Sequence, residues 1–171
     1  MFYPAQYWSH KNHSYIIKSI QKFKSRKLKN IGCIFTGYDK GYLDYLRNLA
    51  IKEKVQDKII FFNYLTNNEL VYLYKNSFCV LFPSLIGFDS LPMYESFFFK
   101  KIILYNQNSI DKVFNKNIIP LDINNFYDLE KKILLLKSNK IFYDKFVLNN
   151  FQFYKQKFLQ LEKSYYKLFI I

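Results

Sequence analysis

The sequence predicts an α/β domain built on a mostly parallel sheet of about six strands, and three observations carry that prediction. Short apolar runs recur at residues 2–5, 31–36, 58–62, 78–82, 102–105 and 117–121. Stretches of helical periodicity separate most of them, and strands alternating with helices at this spacing belong to parallel α/β sheets. The 171 residues, half of them hydrophobic and 21% aromatic, exclude a disordered chain and fit one domain with a real core.

Residues 2–5 form the first strand and lead into a turn over residues 6–12. A helix opens at His13 or Ser14 with Ile16, Ile17, Ile20 and Phe23 on one face, the stripe of a helix lying on a sheet. The second strand, residues 31–36, ends at Gly37; Gly41 precedes a helix with Leu43, Leu46 and Leu49 on one side. After the third strand, residues 58–62, Thr66 and Glu69 make the S/T-x-x-E signature of a capping box. The helix it starts, near Asn67, is expected to bury Leu70, Val71, Leu73 and Tyr74.

Residues 78–82 are continuously apolar and bounded by Pro83 and Ser84, the mark of a strand buried on both faces. The loop over residues 85–91 carries Gly87, and Pro92 suits the first helical position because its missing N–H would have had no partner there. Residues 102–105 are a fifth strand. Residues 117–121 are a shorter sixth, which Pro120 assigns to an edge or a strand end. Asn125 or Asp128 caps a helix through Leu129, Ile133 and Leu136. The expected division is a sheet domain over residues 1–139 and a helical segment over residues 140–171 that packs on it or on a further domain. That segment holds Phe142, Phe146, Phe151, Phe153, Phe158, Tyr165 and Phe169, too many large side chains for one helix face, so some must lie exposed.

The formal charge of +13 invites a nucleic-acid reading. Lysine is dense only at residues 22–29 (KFKSRKLK), however, and the richness in Lys, Asn, Ile, Phe and Tyr fits compositional drift in an AT-rich genome, so no nucleic-acid partner is expected. A basic face carrying aromatic residues better suits an anionic membrane surface. Cys33 and Cys79 fall in apolar strands and read as small hydrophobes in a reducing compartment. With no signal-peptide pattern and no apolar run near the ~20 residues of a membrane span, the expectation is a cytoplasmic protein, peripheral at most. His10 and His13 lack accompanying Cys or acidic ligands, so neither a metal nor another cofactor is expected.

Chemistry concentrates where the fourth strand gives way to a helix. In a parallel sheet that junction lies at the carboxyl edge, where free N–H groups and the positive end of the helix dipole favour an anion such as phosphate. Glu95 follows one turn into the helix, an acid among Met93, Phe97, Phe98 and Phe99, and needs a partner.

The run PSLIGFDSLPMYE at residues 83–95, together with YPAQYWSHKN at residues 3–12, resembles the C-terminal, nucleotide-sugar-binding half of group 1 (family 4) glycosyltransferases, retaining enzymes of the GT-B fold. The resemblance spans roughly the whole chain and implies a Rossmann-like donor domain. Gly87, Leu91, Pro92 and Glu95 stand at the positions of the family's G-F-G-L-P loop and the glutamate that follows it. By that resemblance Glu95 accepts the ribose hydroxyls of a nucleotide sugar, Asp89, Ser90 and Leu91 face its diphosphate, and Lys11 contacts the diphosphate from the first loop. Gln6 stands where many members carry an arginine, Gly37 in a second donor-side loop, and Tyr64 and Leu65 where the base is lined. Two departures stand out. The acid expected before the Gly87–Phe88 pair is Ile86, and the glycine that usually ends the helix is replaced by a run of Phe97 to Phe99 and Lys100. The acceptor site and catalytic loops of such enzymes belong to a preceding domain. Two readings of function therefore stay open: the donor-binding part of a retaining transferase acting with a separately encoded N-terminal half, or a catalytically inert nucleotide-binding or scaffolding remnant.

Overall fold

The computed structural model describes residues 1–86, 90–109 and 112–169, with only the backbone given for Ser90, Lys112 and residues 161–169. Its six strands are β1 (Phe2–Pro4), β2 (Cys33–Thr36), β3 (Ile59–Phe62), β4 (Cys79–Phe82), β5 (Ile102–Asn106) and β6 (Ile119–Leu121). They form one sheet in the order β3-β2-β1-β4-β5-β6, with every pairing parallel. Six α-helices accompany them: α1 (His13–Gln21), α2 (Leu43–Lys52), α3 (Asn67–Asn76), α4 (Ser90–Phe98), α5 (Asp128–Ser138) and α6 (Lys140–Phe169). This is the Rossmann-like order, two half-sheets wound outward from a pair of central strands.

Burial follows from position in the sheet. All four residues of β4 and all five of β5 are buried, because helices cover both faces of the central strands. At the edge, β3 alternates instead and leaves Ile60 and Phe62 exposed. β6, with Pro120 at its middle, takes the opposite edge, where a missing donor costs the ladder least. The stripe of Ile16, Ile17 and Ile20 on α1 is buried, as are Leu43, Leu46 and Leu49 on α2 and Leu129, Ile133 and Leu136 on α5. Cys33 and Cys79 are buried free thiols.

The capping box forms as expected: Thr66 N–H donates to Glu69 Oε2 at 2.8 Å and Glu69 N–H to Thr66 Oγ1 at 3.4 Å. Of the four side chains expected to be buried on α3, only Tyr74 is fully so. Leu70, Val71 and Leu73 are half-buried, Leu70 and Leu73 still packing against the core, while Tyr74 meets Phe2 edge-on at 5.1 Å and stacks on Phe99 at 5.2 Å. α4 begins two residues before Pro92, which still lies in the first turn and costs no hydrogen bond. At the other end of α4, Lys100 takes the left-handed conformation at φ 54° that a glycine would adopt more easily. Its neighbour Lys101 closes the helix by donating its N–H to Ser96 O at 2.8 Å.

Lysine-rich residues 22–29 follow the last residue of α1, and Glu130 on α5 accepts the N–H groups of Lys24 and Ser25, both at 2.8 Å. α6 packs on α4, α5 and β5. A buried pair pins it to the residues before β6: Asn117 Nδ2 donates to Asn150 Oδ1 at 2.9 Å and Asn150 Nδ2 to the Asn117 carbonyl at 2.8 Å. As the count of large side chains required, part of α6 is uncovered, with Ile141, Leu148, Phe158 and Leu159 exposed.

Candidate functional site

Strand order reverses between β1 and β4, so the loops after those two strands diverge from one crevice at the carboxyl edge of the sheet. Here the loops are also tied together. Leu85 N–H donates to His10 O at 2.8 Å and Asn12 Nδ2 to Pro83 O at 3.2 Å. Beneath them, the Tyr3 hydroxyl donates to Lys11 O at 2.7 Å and lies 3.1 Å from Ser84 Oγ. Having spent its one proton on Lys11, Tyr3 must accept from Ser84. Asn106, at the end of β5, completes the row by donating from Nδ2 to Ser84 O at 2.8 Å. Three adjacent strands thus converge through buried polar side chains on the backbone of Lys11.

The β1 loop makes one 3-10 turn at Ser9–Lys11 before Asn12, at φ 57°, turns the chain into α1. Lys11 stands on that turn, half-buried. Gln6 is exposed, and its Oε1 accepts the Trp8 indole N–H at 3.0 Å. Trp8 in turn stacks on His10 at 6.0 Å and carries Lys40 Nζ over its ring at 5.8 Å. His13 has a different fate. It is wholly buried between Tyr3, Tyr7 and Phe35, with ring centroids 4.6, 5.2 and 5.0 Å away, and neither nitrogen has a hydrogen-bond partner among the described residues. Burial pushes its pKa down to about 3, so the ring is neutral; the nearby Ala5 carbonyl opposes that shift without meeting hydrogen-bond geometry.

Gly37 is demanded by closeness. A Cβ there would stand 2.4 Å from Ala5 O and 2.6 Å from Gln6 Cα, so only glycine lets the ends of β1 and β2 run side by side. Asp39 caps α2, its Oδ1 accepting from the N–H groups of Gly41, Tyr42 and Leu43 at 2.9–3.1 Å. Those bonds, Leu43's foremost, hold the carboxyl below its usual range. Tyr64, after β3, is 66% exposed and faces Tyr38, after β2, at 6.1 Å; Leu65 beside it is half-buried.

At the fourth junction Ser90 and Leu91 are the first two residues of α4, and the Leu91 side chain points to solvent. Gly87 and Asp89 lie outside the described residues. Glu95 finds its partner across the helix pair: Tyr74 on α3 donates its hydroxyl to Glu95 Oε2 at 2.8 Å. Burial and then the adjacent carboxylate drive the Tyr74 phenol far above its ordinary range, so it keeps its proton and donates it to Glu95. Among the described residues no hydrogen bond reaches Glu95 Oε1, and no three His, Cys, Asp or Glu side chains gather as a metal site.

Lys11, Ser90, Leu91 and Glu95 therefore lie on the two loop-and-helix junctions flanking the crevice, with Gln6 and Gly37 on the same edge and Tyr64 and Leu65 farther along it toward β3. Sequence reasoning missed the residues that join the junctions, Tyr3, Asn12, Ser84 and Asn106. The available signal was a polar residue directly at the end of an apolar strand, as at Ser84 and Asn106. This edge also carries a rim of exposed apolar side chains, one or more from each of four successive strand ends: Trp8, Tyr38, Tyr64, Leu85, Ile86 and Leu91.

The family model described as "Glycosyl transferases group 1" matches residues 1–153. Among solved structures, the catalytic domain of cholesterol-alpha-glucosyltransferase from Helicobacter pylori superposes with a TM-score of 0.72 at 19% identity, covering 92% of this chain and 98% of that one. The C-terminal domain of the glycosyl transferase group 1 family protein LpcC from Francisella tularensis gives 0.72 at 17% identity, covering 92% and 85%. Anabaena Alr3699/HepE, solved in complex with UDP-glucose, gives 0.76 at 12% identity. The chain spans about half of HepE, 48% of its length, with 97% of its own residues covered. No curated protein matches the sequence. At these identities the structural likeness establishes the fold.

Proposed function

The chain belongs to the group 1 glycosyl transferases, and from that membership we propose that it is the donor-binding part of a retaining enzyme. The reaction is transfer of a sugar from a nucleoside diphosphate sugar to a glycan or a lipid-linked acceptor. The single observation that carries the reading is the tied crevice, where Lys11 and the N-terminus of α4 stand on two loops that hydrogen-bond to each other.

The diphosphate lies at the start of α4, where the N–H groups of Ser90 and Leu91 and the helix dipole meet its charge, with Asp89 on the same loop. Lys11 adds a mobile point charge from the opposite loop. Glu95 accepts the ribose hydroxyls through Oε1 while Tyr74 holds Oε2. The base lies toward Tyr64 and Leu65, with Gln6 and Gly37 bounding the crevice between. When the bond from the sugar's anomeric carbon to the diphosphate breaks, negative charge grows on the leaving oxygen, and these fixed donors stabilise it most at that moment.

The apolar rim supports a further part of the proposal. Trp8, Tyr38, Tyr64, Leu85, Ile86 and Leu91 make a surface suited to a separately encoded N-terminal half that brings the acceptor and excludes water. On α6, exposed Ile141, Leu148, Phe158 and Leu159 alternate with Lys145 and Lys155, which favours contact with an anionic membrane surface. No helix among the described residues is long and apolar enough to cross a membrane.

Calorimetric titration of the folded chain with UDP and GDP tests the site. Binding to one of them is expected; no heat with either at millimolar concentration removes the donor-site reading. Binding without any transfer when an N-terminal half is supplied favours the inert nucleotide-binding module.

A further inference from the structure

Asn12 combines two properties that no other described residue in the crevice shares. Its backbone takes the left-handed conformation, φ 57°, at the single residue between the 3-10 turn bearing Lys11 and the first residue of α1. Its side chain then reaches the other loop, Nδ2 donating to Pro83 O at 3.2 Å, while Oδ1 accepts from Ser14 Oγ at 3.2 Å. The Pro83 carbonyl, which can only accept, sets Nδ2 toward itself, and Oδ1 is left to accept the Ser14 hydroxyl.

We propose that Asn12 is a positioning residue for the diphosphate, holding the turn that carries Lys11 against the start of the β4 loop. This rests on the nucleotide site proposed above. A lysine ammonium is a point charge that meets a phosphate reproducibly only when the turn that carries it is held in place. The neighbouring bond from Leu85 N–H to His10 O, 2.8 Å long, lies on the same seam, so loosening Asn12 exposes that amide. Sequence separation makes the tie non-trivial: Asn12 and Pro83 are 71 residues apart.

The backbone and side-chain duties of Asn12 can be separated. Asn12→Gly keeps the left-handed turn and deletes the bond to Pro83. Asn12→Asp tolerates the turn and still accepts from Ser14, but sets a carboxylate oxygen against the Pro83 carbonyl. The test titrates UDP and uridine into wild-type and both variants by NMR, with thermal midpoints and amide exchange at Leu85 recorded in parallel. Expected for Asn12→Gly is a midpoint near wild type, UDP affinity down about fivefold, uridine affinity unchanged, and faster Leu85 exchange. Asn12→Asp should lose more UDP affinity. Equal losses for UDP and uridine, or UDP affinity that simply follows the midpoint, overturn the proposal, as does unchanged Leu85 exchange. Wild-type protein that ignores UDP overturns the nucleotide reading and the ligand assigned here, while Leu85 exchange in Asn12→Gly still upholds or refutes the tie between the loops.

Discussion

Replacing Glu95 by glutamine separates two jobs that one carboxylate performs. Oε2 accepts the buried Tyr74 hydroxyl at 2.8 Å, and Oε1 is proposed to accept the ribose hydroxyls. Hydrogen bonds to a charged group contribute about 1.5–3 kcal/mol and neutral ones about 0.5–1.5. A glutamine oxygen can still accept from Tyr74, so the fold should survive with a loss of about 1 kcal/mol. At the ribose the same exchange should cost roughly 1–2 kcal/mol, a five- to thirtyfold weaker UDP affinity. Tyr74→Phe supplies the contrast: it removes the donor, destabilises by about 1–3 kcal/mol, and leaves the ribose side of Glu95 in place. Urea unfolding and calorimetry with UDP and 2′,3′-dideoxy-UDP complete the assay. The dideoxy compound, lacking both hydroxyls, should bind wild type more weakly than UDP binds Glu95→Gln, and the variant should distinguish the two ligands less than wild type does. If Glu95→Gln loses stability yet binds UDP as tightly as wild type, the carboxylate serves Tyr74 alone and the assignment is wrong.

Two further predictions concern stability. His13 is held neutral with a pKa of about 3 against 6.5 in the unfolded chain, so between those values the unfolded state binds a proton that the folded state does not. Stability from this source is therefore full above about pH 6.5 and lost as pH falls toward 3, with a ceiling of about 5 kcal/mol at roughly 1.4 kcal/mol per unit; His13→Phe should flatten that slope, and an identical acid profile in the variant would refute it. Asn150→Leu removes both hydrogen bonds of the buried Asn117–Asn150 pair and should destabilise by about 2–4 kcal/mol in urea. Unchanged unfolding would mean that the asparagine pair does not anchor α6.

What the sequence made legible was most of what local pattern governs; the expected cap of α5 is an exception, because neither Asn125 nor Asp128 stands at the N-cap, which is Tyr127 and makes no side-chain capping bond. The strands, the capping box at Thr66 and the edge position of β6 all follow from apolar period, a polar cap or a proline, and the structure has them. The strand-to-helix junction was legible for the same reason, since Pro92 and the preceding apolar run are local signals. Burial on α3 was not, because whether Leu70 and Leu73 are covered depends on where the helix crosses the sheet rather than on its own stripe. The partner of Glu95 was hidden too. Tyr74 is 21 residues earlier on another helix, and nothing in its neighbourhood distinguishes it from an ordinary core tyrosine. Gly37 shows the opposite error of emphasis: picked out for a loop, it is required by the approach of two backbones.

The clamp across the crevice also bears on the order in which the molecule becomes competent. Tyr3 and Ser84 are 81 residues apart, so their contact closes only after β4 has entered the sheet beside β1. A nascent chain that has reached the end of β3 already holds Lys11 on its loop and can pair β1, β2 and β3, yet the opposite wall of the crevice does not exist. Closing so long a loop adds little entropy beyond a shorter one, about 0.6 kcal/mol per doubling, but it makes the step non-local and slow. An anion that binds both walls therefore favours only chains in which the two half-sheets have joined. For this domain, occupancy of the crevice would act as a selection for the completed fold.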